Sequence, residues 1–193
     1  MILPIIAYGD PVLRKVSRDI DKEYPNLKQL IADMFETMYH ARGVGLAAPQ
    51  IGLDIRLFVV DASPFDDDEE DRPELKNFKK VFINAYIVDE SGKEWPFNEG
   101  CLSIPEIRED VNRLSNIKIK YVDENFVAKE EDYKGILARI IQHEYDHIEG
   151  KLFIDKISPI KKRLIVKKLD AITKGLVKPD YKMKYPAATK RRK

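Results

Sequence analysis

The run Gln142-His143-Glu144-Tyr145-Asp146-His147 constrains the fold of this chain more than any other stretch. The chain has only three histidines, and two of them stand four residues apart here. Ile136, Leu137, Ile140 and Ile141 recur at helical spacing between Tyr133 and Ile148, which predicts a helix with one apolar face. On a helix, positions i and i+4 share a face, so His143 and His147 can grip one metal ion. Glu144, beside the first of them, can reach water at that ion. Two imidazoles leave a metal short of ligands. A distant part of the chain must therefore fold over this helix and complete the site.

Two common completions fail. One class of histidine-pair peptidases takes its third ligand from a glutamate on a later helix, but the last glutamate here is Glu149, and Asp155 is a weak substitute. Another class continues as H-x-x-G-x-x-H. His147-Ile-Glu-Gly150 begins that pattern, but position 153 is Phe. His40, at the end of a helix predicted over Pro25–Ala41, reads as a surface or capping group. Cys101 is the only cysteine and sits in Asn98-Glu-Gly-Cys-Leu-Ser-Ile-Pro105, where Gly100 allows close backbone approach. Alone it would read as a small buried hydrophobe. Beside a histidine pair that lacks a soft or borderline partner, the thiolate is the preferred third ligand. A catalytic metal takes three protein ligands and keeps one position open, whereas structural zinc usually takes four.

The rest of the chain reads as one α+β domain. Ile55–Val60 and Val81–Val88 are apolar, β-rich strands, and Ile117, Ile119 and Tyr121 alternate with lysines as a half-buried strand does. Asp123–Asn125 reads as a hairpin turn. Residues 63–80, with Asp66-Asp-Asp-Glu-Glu-Asp71, read as a solvated acidic loop. Ser158-Pro159 starts a C-terminal helix whose expected inner face is Ile160, Leu164, Ile165, Leu169 and Ile172, with Gly175 as its end. The expected architecture is mixed or antiparallel sheet packed around the central metal-binding helix, with a helix toward each end. Residues 1–175 form the expected catalytic domain, including the helix at about 158–175, and 176–193 a flexible basic tail.

The net charge of +1 hides an asymmetry. Residues 161–193 hold thirteen Lys/Arg against two acids, a net +11, so residues 1–160 carry −10. An acidic body with a basic tail points to a polyanionic partner for the tail. One cysteine cannot form an intramolecular disulfide, the N-terminus lacks a signal-peptide pattern, and no stretch nears the length of a membrane helix. A cytoplasmic protein with no membrane association is expected.

Three separated motifs, Gly43-Val-Gly-Leu-Ala-Ala-Pro-Gln50, Glu99-Gly-Cys-Leu-Ser103 and Gln142-His-Glu-Tyr-Asp-His147, resemble those of the peptide deformylases, in that family's order. Ile2-Leu-Pro-Ile and Asp10-Pro-Val-Leu-Arg14 resemble the family's start, and the likeness spans roughly residues 1–155. The resemblance implies hydrolysis of N-formylmethionyl nascent peptides to formate and a free N-terminal methionine. It implies Cys101, His143 and His147 as metal ligands, Glu144 as the catalytic carboxylate, and Gln50 with the Leu102 N–H as oxyanion donors. It implies Fe2+, with Ni2+, Co2+ or Zn2+ able to substitute, and a monomer is expected.

A hydrophobic pocket for methionine is expected from Val44, Ile136 and Ile140. An extended peptide is expected to pair with backbone near Gly45, Glu99 and Gly100, with Arg108 meeting peptide backbone or a carboxylate. The basic C-terminal helix and tail suggest docking on ribosomal RNA. Two other readings stand beside this one: a general metallopeptidase, and a nucleic-acid-binding protein with a structural metal.

Overall fold

The computed structural model describes residues 1–65 and 73–186. In chain order its elements are β1 (Ile5–Ile6), α1 (Leu27–His40), β2 (Gly45–Ala47), β3 (Leu57–Asp61), α2 (Pro73–Lys76), β4 (Lys79–Cys101), β5 (Ile104–Val122), β6 (Ala128–Lys134), α3 (Gly135–Ile148), α4 (Pro159–Thr173) and β7 (Met183–Lys184). Strands β2 to β6 form one antiparallel sheet in sequence order. Strands β1 and β7 pair in parallel as a separate ribbon. This is the α+β architecture expected, with the histidine-bearing helix α3 at its centre.

Strand β3 shows why the sheet holds helices on both sides. All five of its residues are buried. Side chains alternate across a strand, so Phe58 and Val60 enter a core with Ile140 and Ile141 of α3. Leu57 and Val59 enter another with Met34 and Met38 of α1. A third core joins Ile104, Ile107 and Val111 of β5 to Phe153 and to Ile165, Leu169 and Ile172 of α4.

The largest departure from expectation is the β4–β5 hairpin. Its strands run 23 and 19 residues, far beyond Val81–Val88 and the alternation at 117–121. Asp89 to Trp95 is mostly polar and exposed, so it carries no apolar alternation to mark it as strand. It pairs all the same with the segment from Arg113 to Lys118. Register slips at Ile83/Tyr86, Ile87/Asp89 and Ser91/Glu94 interrupt the ladder, and such bulges bend a ribbon. The far arm of the hairpin reaches α3, with Glu99 and Arg113 both bonded to its side chains.

Other boundaries also shift. The turn after β5 spans Asp123–Val127, where Asp123 Oδ1 accepts from the amides of Asn125 and Val127 at 2.9 and 3.0 Å. The acidic loop is shorter than expected: Ser63–Phe65 and Pro73–Lys76 are helical turns, and Leu75 and Phe78 are buried. Asp66–Asp71 lies outside the described residues. On α4, Ser158 Oγ caps the Lys161 amide at 3.3 Å. Ile165, Leu169 and Ile172 are buried, but Ile160 and Leu164 are 73% and 75% exposed. The buried three keep i, i+4, i+7 spacing, and 164 and 160 lie about 110° and 150° around the helix from the centre of that stripe. The tail expected to be flexible from 176 is packed well past that point, because β7 pairs with β1 and the Ile5 and Ala7 amides donate to the Lys182 and Lys184 carbonyls, both at 2.9 Å. Residues 187–193 lie outside the described part. No helix among the described residues is long and apolar enough to cross a membrane.

The end of α3 is closed by Gly150, whose φ is +68°. A Cβ there would stand 2.7 Å from the Arg14 carbonyl oxygen. Both the left-handed backbone and the overlap penalise any side chain. Gly150→Ala is expected to lower stability by about 2 kcal/mol or more, read from urea denaturation midpoints at unchanged slope.

Candidate active site

Helix α3 is buried on most of its circumference, and five of its buried residues are polar: Arg139, Gln142, Glu144, Asp146 and His147. Buried polar groups need partners, and most here come from the β4–β5 hairpin. Gln142 Nε2 donates to Glu90 at 2.8 Å and to the Leu114 carbonyl at 3.2 Å. Arg139 donates to the carbonyls of Trp95 at 2.6 Å and Val111 at 3.0 Å.

The centre of this network is Glu99. Its Oε1 accepts from Arg113 at 2.7 Å and from Arg139 at 2.9 Å. Its Oε2 accepts from Arg113 and lies against His143 Nδ1, both at 2.9 Å. Arg113 also donates to Asp146 at 2.6 Å. Burial alone would raise the Glu99 carboxyl, but the bonds from Arg113 and His143 hold it well below the ordinary carboxylate range. An anionic carboxylate only accepts, so His143 Nδ1 is the donor, and in the neutral ring Nε2 would carry the lone pair a metal needs. A carboxylate behind a ligating histidine is the usual support of such a ligand.

Cys101 ends β4 two residues beyond Glu99. Its Sγ stands 3.3 Å from His147 Nε2, and one ligand atom from each of Cys101, His143 and His147 lies within 4.8 Å of the others. Burial pushes His147 well below its ordinary pKa, toward the neutral ring that metals bind. A thiolate and two imidazoles suit zinc, cobalt, nickel or iron. The residues therefore fit a divalent metal.

Glu144 is buried, its Oε2 has no hydrogen-bond partner among the described residues, and burial pushes its carboxyl up to about 7. Gly45 of β2 lies against it. A Cβ at Gly45 would stand 2.6 Å from Glu144 Cδ, so only glycine leaves this carboxylate its place. Gln50 sits on the turn Ala48–Ile51 and is 2% exposed. Its Oε1 accepts from the Ala47 amide at 2.9 Å, which turns Nε2 toward Cys101 Sγ at 3.5 Å and Ser103 Oγ at 3.4 Å. The amide of Gln50 thus faces the candidate ligand Cys101.

Gly45, Gln50, Glu99, Cys101, His143 and Glu144 line a cleft of about 570 Å³. The sequence pattern of the polypeptide deformylases matches residues 2–163. The chain belongs to the polypeptide deformylase family. A peptide deformylase of Flavobacterium johnsoniae is 61% identical over all of both chains, and one of Christiangramia forsetii is 59% identical, again over all of both. The crystal structure of a peptide deformylase from Legionella pneumophila superposes with a TM-score of 0.78 at 40% identity, covering 93% of this chain and 100% of that one. The chain is accordingly an enzyme of the deformylase class, and that class is metal-dependent.

Val44, Gly45, Gly100, Arg108 and Ile140 line the cleft. Ile136 does not, and packs instead against the core between sheet and α3. Glu99 reaches the cleft, but its carboxylate is spent on the arginines and His143. Arg108 bonds Asn98 rather than an acid, with its Nε 2.9 Å from Asn98 Oδ1. His40 is exposed at the end of α1, away from the cleft. Sequence reasoning missed Arg113, Arg139 and Asp146, the aromatic wall of Phe65 and Phe97, and the C-terminal residues 179–181. The one available signal was Arg139 and Gln142 lying among the apolar residues of the helix.

Removing the charge behind His143 should weaken its hold on metal. Glu99→Gln is expected to lower metal affinity about 10- to 100-fold, measured by competition with a chelator. Unchanged affinity would separate Glu99 from ligand support.

Proposed function

We propose that the chain removes the formyl group from the N-terminal formylmethionine of nascent peptides, with Cys101, His143 and His147 as metal ligands. The observation that carries this reading is the convergence of three side chains able to ligate a metal, their ligand atoms within 4.8 Å of one another. Cys101 and His143 line the cleft together with the buried Glu144, whose Oε2 has no partner among the described residues. A bound divalent ion, ferrous iron by the family resemblance, supplies Lewis-acid polarisation and a lowered water pKa.

The chain's own groups handle protons and charge. Glu144, with its carboxyl near 7, accepts a proton from the attacking water and delivers it to the departing amine. Attack on the formyl carbon places negative charge on the formyl oxygen. Gln50 Nε2 and the Leu102 N–H donate to it, and losing one such donor typically costs about 3–4 kcal/mol of barrier. The C–N bond then breaks, giving formate and a free amine.

Methionine is long and flexible, and Val44 and Ile140 supply apolar wall for it. Strand β2 is the edge of its sheet, which supports pairing of an extended peptide along Gly45, with the Glu99–Gly100 backbone opposite. The two other readings are weaker. A general metallopeptidase would cleave unformylated peptides. A structural metal would need a fourth protein ligand, and only three converge among the described residues.

The test is formate release from formyl-Met-Ala-Ser at measured metal content. Metal-replete Glu144→Ala is expected to lose at least roughly a hundredfold in rate. A variant that retained the full rate would sink the proton-carrier role, and wild type that cut only internal peptide bonds would favour the peptidase.

The proposal extends to docking beside the nascent chain, in the cytoplasm. Helix α4 exposes Ile160 and Leu164 together with Lys167 and Lys168, which supports contact with ribosomal RNA. Co-sedimentation with ribosomes should weaken steeply with salt and fall in the double variant Lys167→Ala/Lys168→Ala. Binding insensitive to both would remove the docking element.

A further inference from the structure

We propose that Tyr181, in the segment after α4, is a positioning residue for deformylation: it holds the turn that carries the Leu102 oxyanion donor. This rests on the donor role given to the Leu102 N–H above. Tyr181 lies beyond residue 163, where the family match ends.

The Leu102-Ser103 turn joins β4 to β5, and it is gripped from both ends of the chain. Tyr181 OH donates to the Leu102 carbonyl at 2.8 Å. The Tyr8 amide donates to the Ser103 carbonyl, also at 2.8 Å. The two ends are tied together by the β1–β7 pairing at Ile5–Met183 and Ile6–Lys184. Tyr181 thus reaches the turn from an anchored strand two residues away.

The cleft side agrees. Pro179, Asp180 and Tyr181 line the same cleft as Glu144 and Cys101. Asp180 meets Arg42 at 3.1 Å, next to Gly43. A Cβ at Gly43 would stand 2.8 Å from Leu102 Cδ1. The Leu102 side chain is therefore packed against a glycine and its carbonyl is bonded by Tyr181. Its carbonyl lies one Cα from its own amide, so fixing the carbonyl limits rotation of the N–H. The Tyr181 ring is partly buried, which shields the bond from water.

Tyr181→Phe keeps the ring and deletes the donor. In zinc-loaded enzyme, kcat on formyl-Met-Ala-Ser is expected to fall roughly fivefold, the factor a neutral hydrogen bond is worth. KM and metal content should stay within twofold. The Leu102 amide signal should move in a leucine-¹⁵N-labelled sample. Tyr185→Phe is the control: Tyr185 bonds the Val177 carbonyl in the same segment and does not touch Leu102, so kcat should hold.

An equal loss in Tyr185→Phe would assign the effect to the segment as a whole and overturn the inference. So would a rise in KM alone, which marks a substrate contact. An unmoved Leu102 amide with unchanged kcat overturns the positioning role. A moved amide with unchanged kcat instead overturns the donor role of Leu102.

Discussion

The burial of Glu99 is the constraint on which the rest of the structure depends. Withdrawing a carboxylate from water costs several kcal/mol unless charges and hydrogen bonds replace the lost hydration. Here a two-pronged Arg113 fork, Arg139 and His143 replace it. Arg113 lies 14 residues from Glu99 across the β4–β5 hairpin, and Arg139 lies 40 residues away on α3. The network can close only if the hairpin is long and bent enough to bring its far arm against the helix. A buried ionic cluster of this kind adds little net stability over an apolar one, but losing one member strands the others at about 3–5 kcal/mol. Its value is geometric. It sets the rotation of α3, and with it which nitrogen His143 presents.

The parts of this site that were legible in the sequence are those whose chemistry is local. His143, Glu144 and His147 share one helical turn, and their spacing states their common face. Cys101 followed from an absence: few other residues in the chain could complete the ligand set. The network behind them left no local trace. Arg113 stands in an exposed-looking polar run of β5, and nothing near it signals a partner on a helix about thirty residues later. Glu99 shows the difficulty best. It sits inside a recognisable motif that points to substrate contact through its backbone, while its carboxylate faces inward to arginines that only the fold brings near.

The fold was legible where burial is one-sided or complete. Strand β3 is apolar throughout and buried throughout, and α1 keeps its stripe. The middle of the β4–β5 hairpin was not legible, because a two-stranded ribbon exposed on both faces has no apolar period. Helix α4 misled in the opposite direction. Ile160 and Leu164 extend the apolar pattern, but the helix has one partner surface, and a stripe through 165, 169 and 172 already fills it. Apolar residues beyond that width stay in water.

The proposed site divides into two halves held in different ways. The proposed ligand half, with Cys101, His143 and His147, is backed by charge at His143, through Glu99 and the arginines behind it. The oxyanion half, with Gln50 and the Leu102–Ser103 turn, is held by neutral hydrogen bonds from Ala47, Tyr8 and Tyr181. Cys101 and Leu102 are neighbours in the chain, so the boundary between the halves is one peptide bond. On the ligand side a small displacement changes whether metal binds at all. On the oxyanion side it changes only how well a transient charge is met, and weaker neutral bonds suffice there. The glycines serve both halves by absence: Gly45 leaves room for Glu144, and Gly43 leaves room for Leu102. The proposed placement of Glu144 and Leu102 around one formyl group thus depends on two backbone positions where no side chain can be.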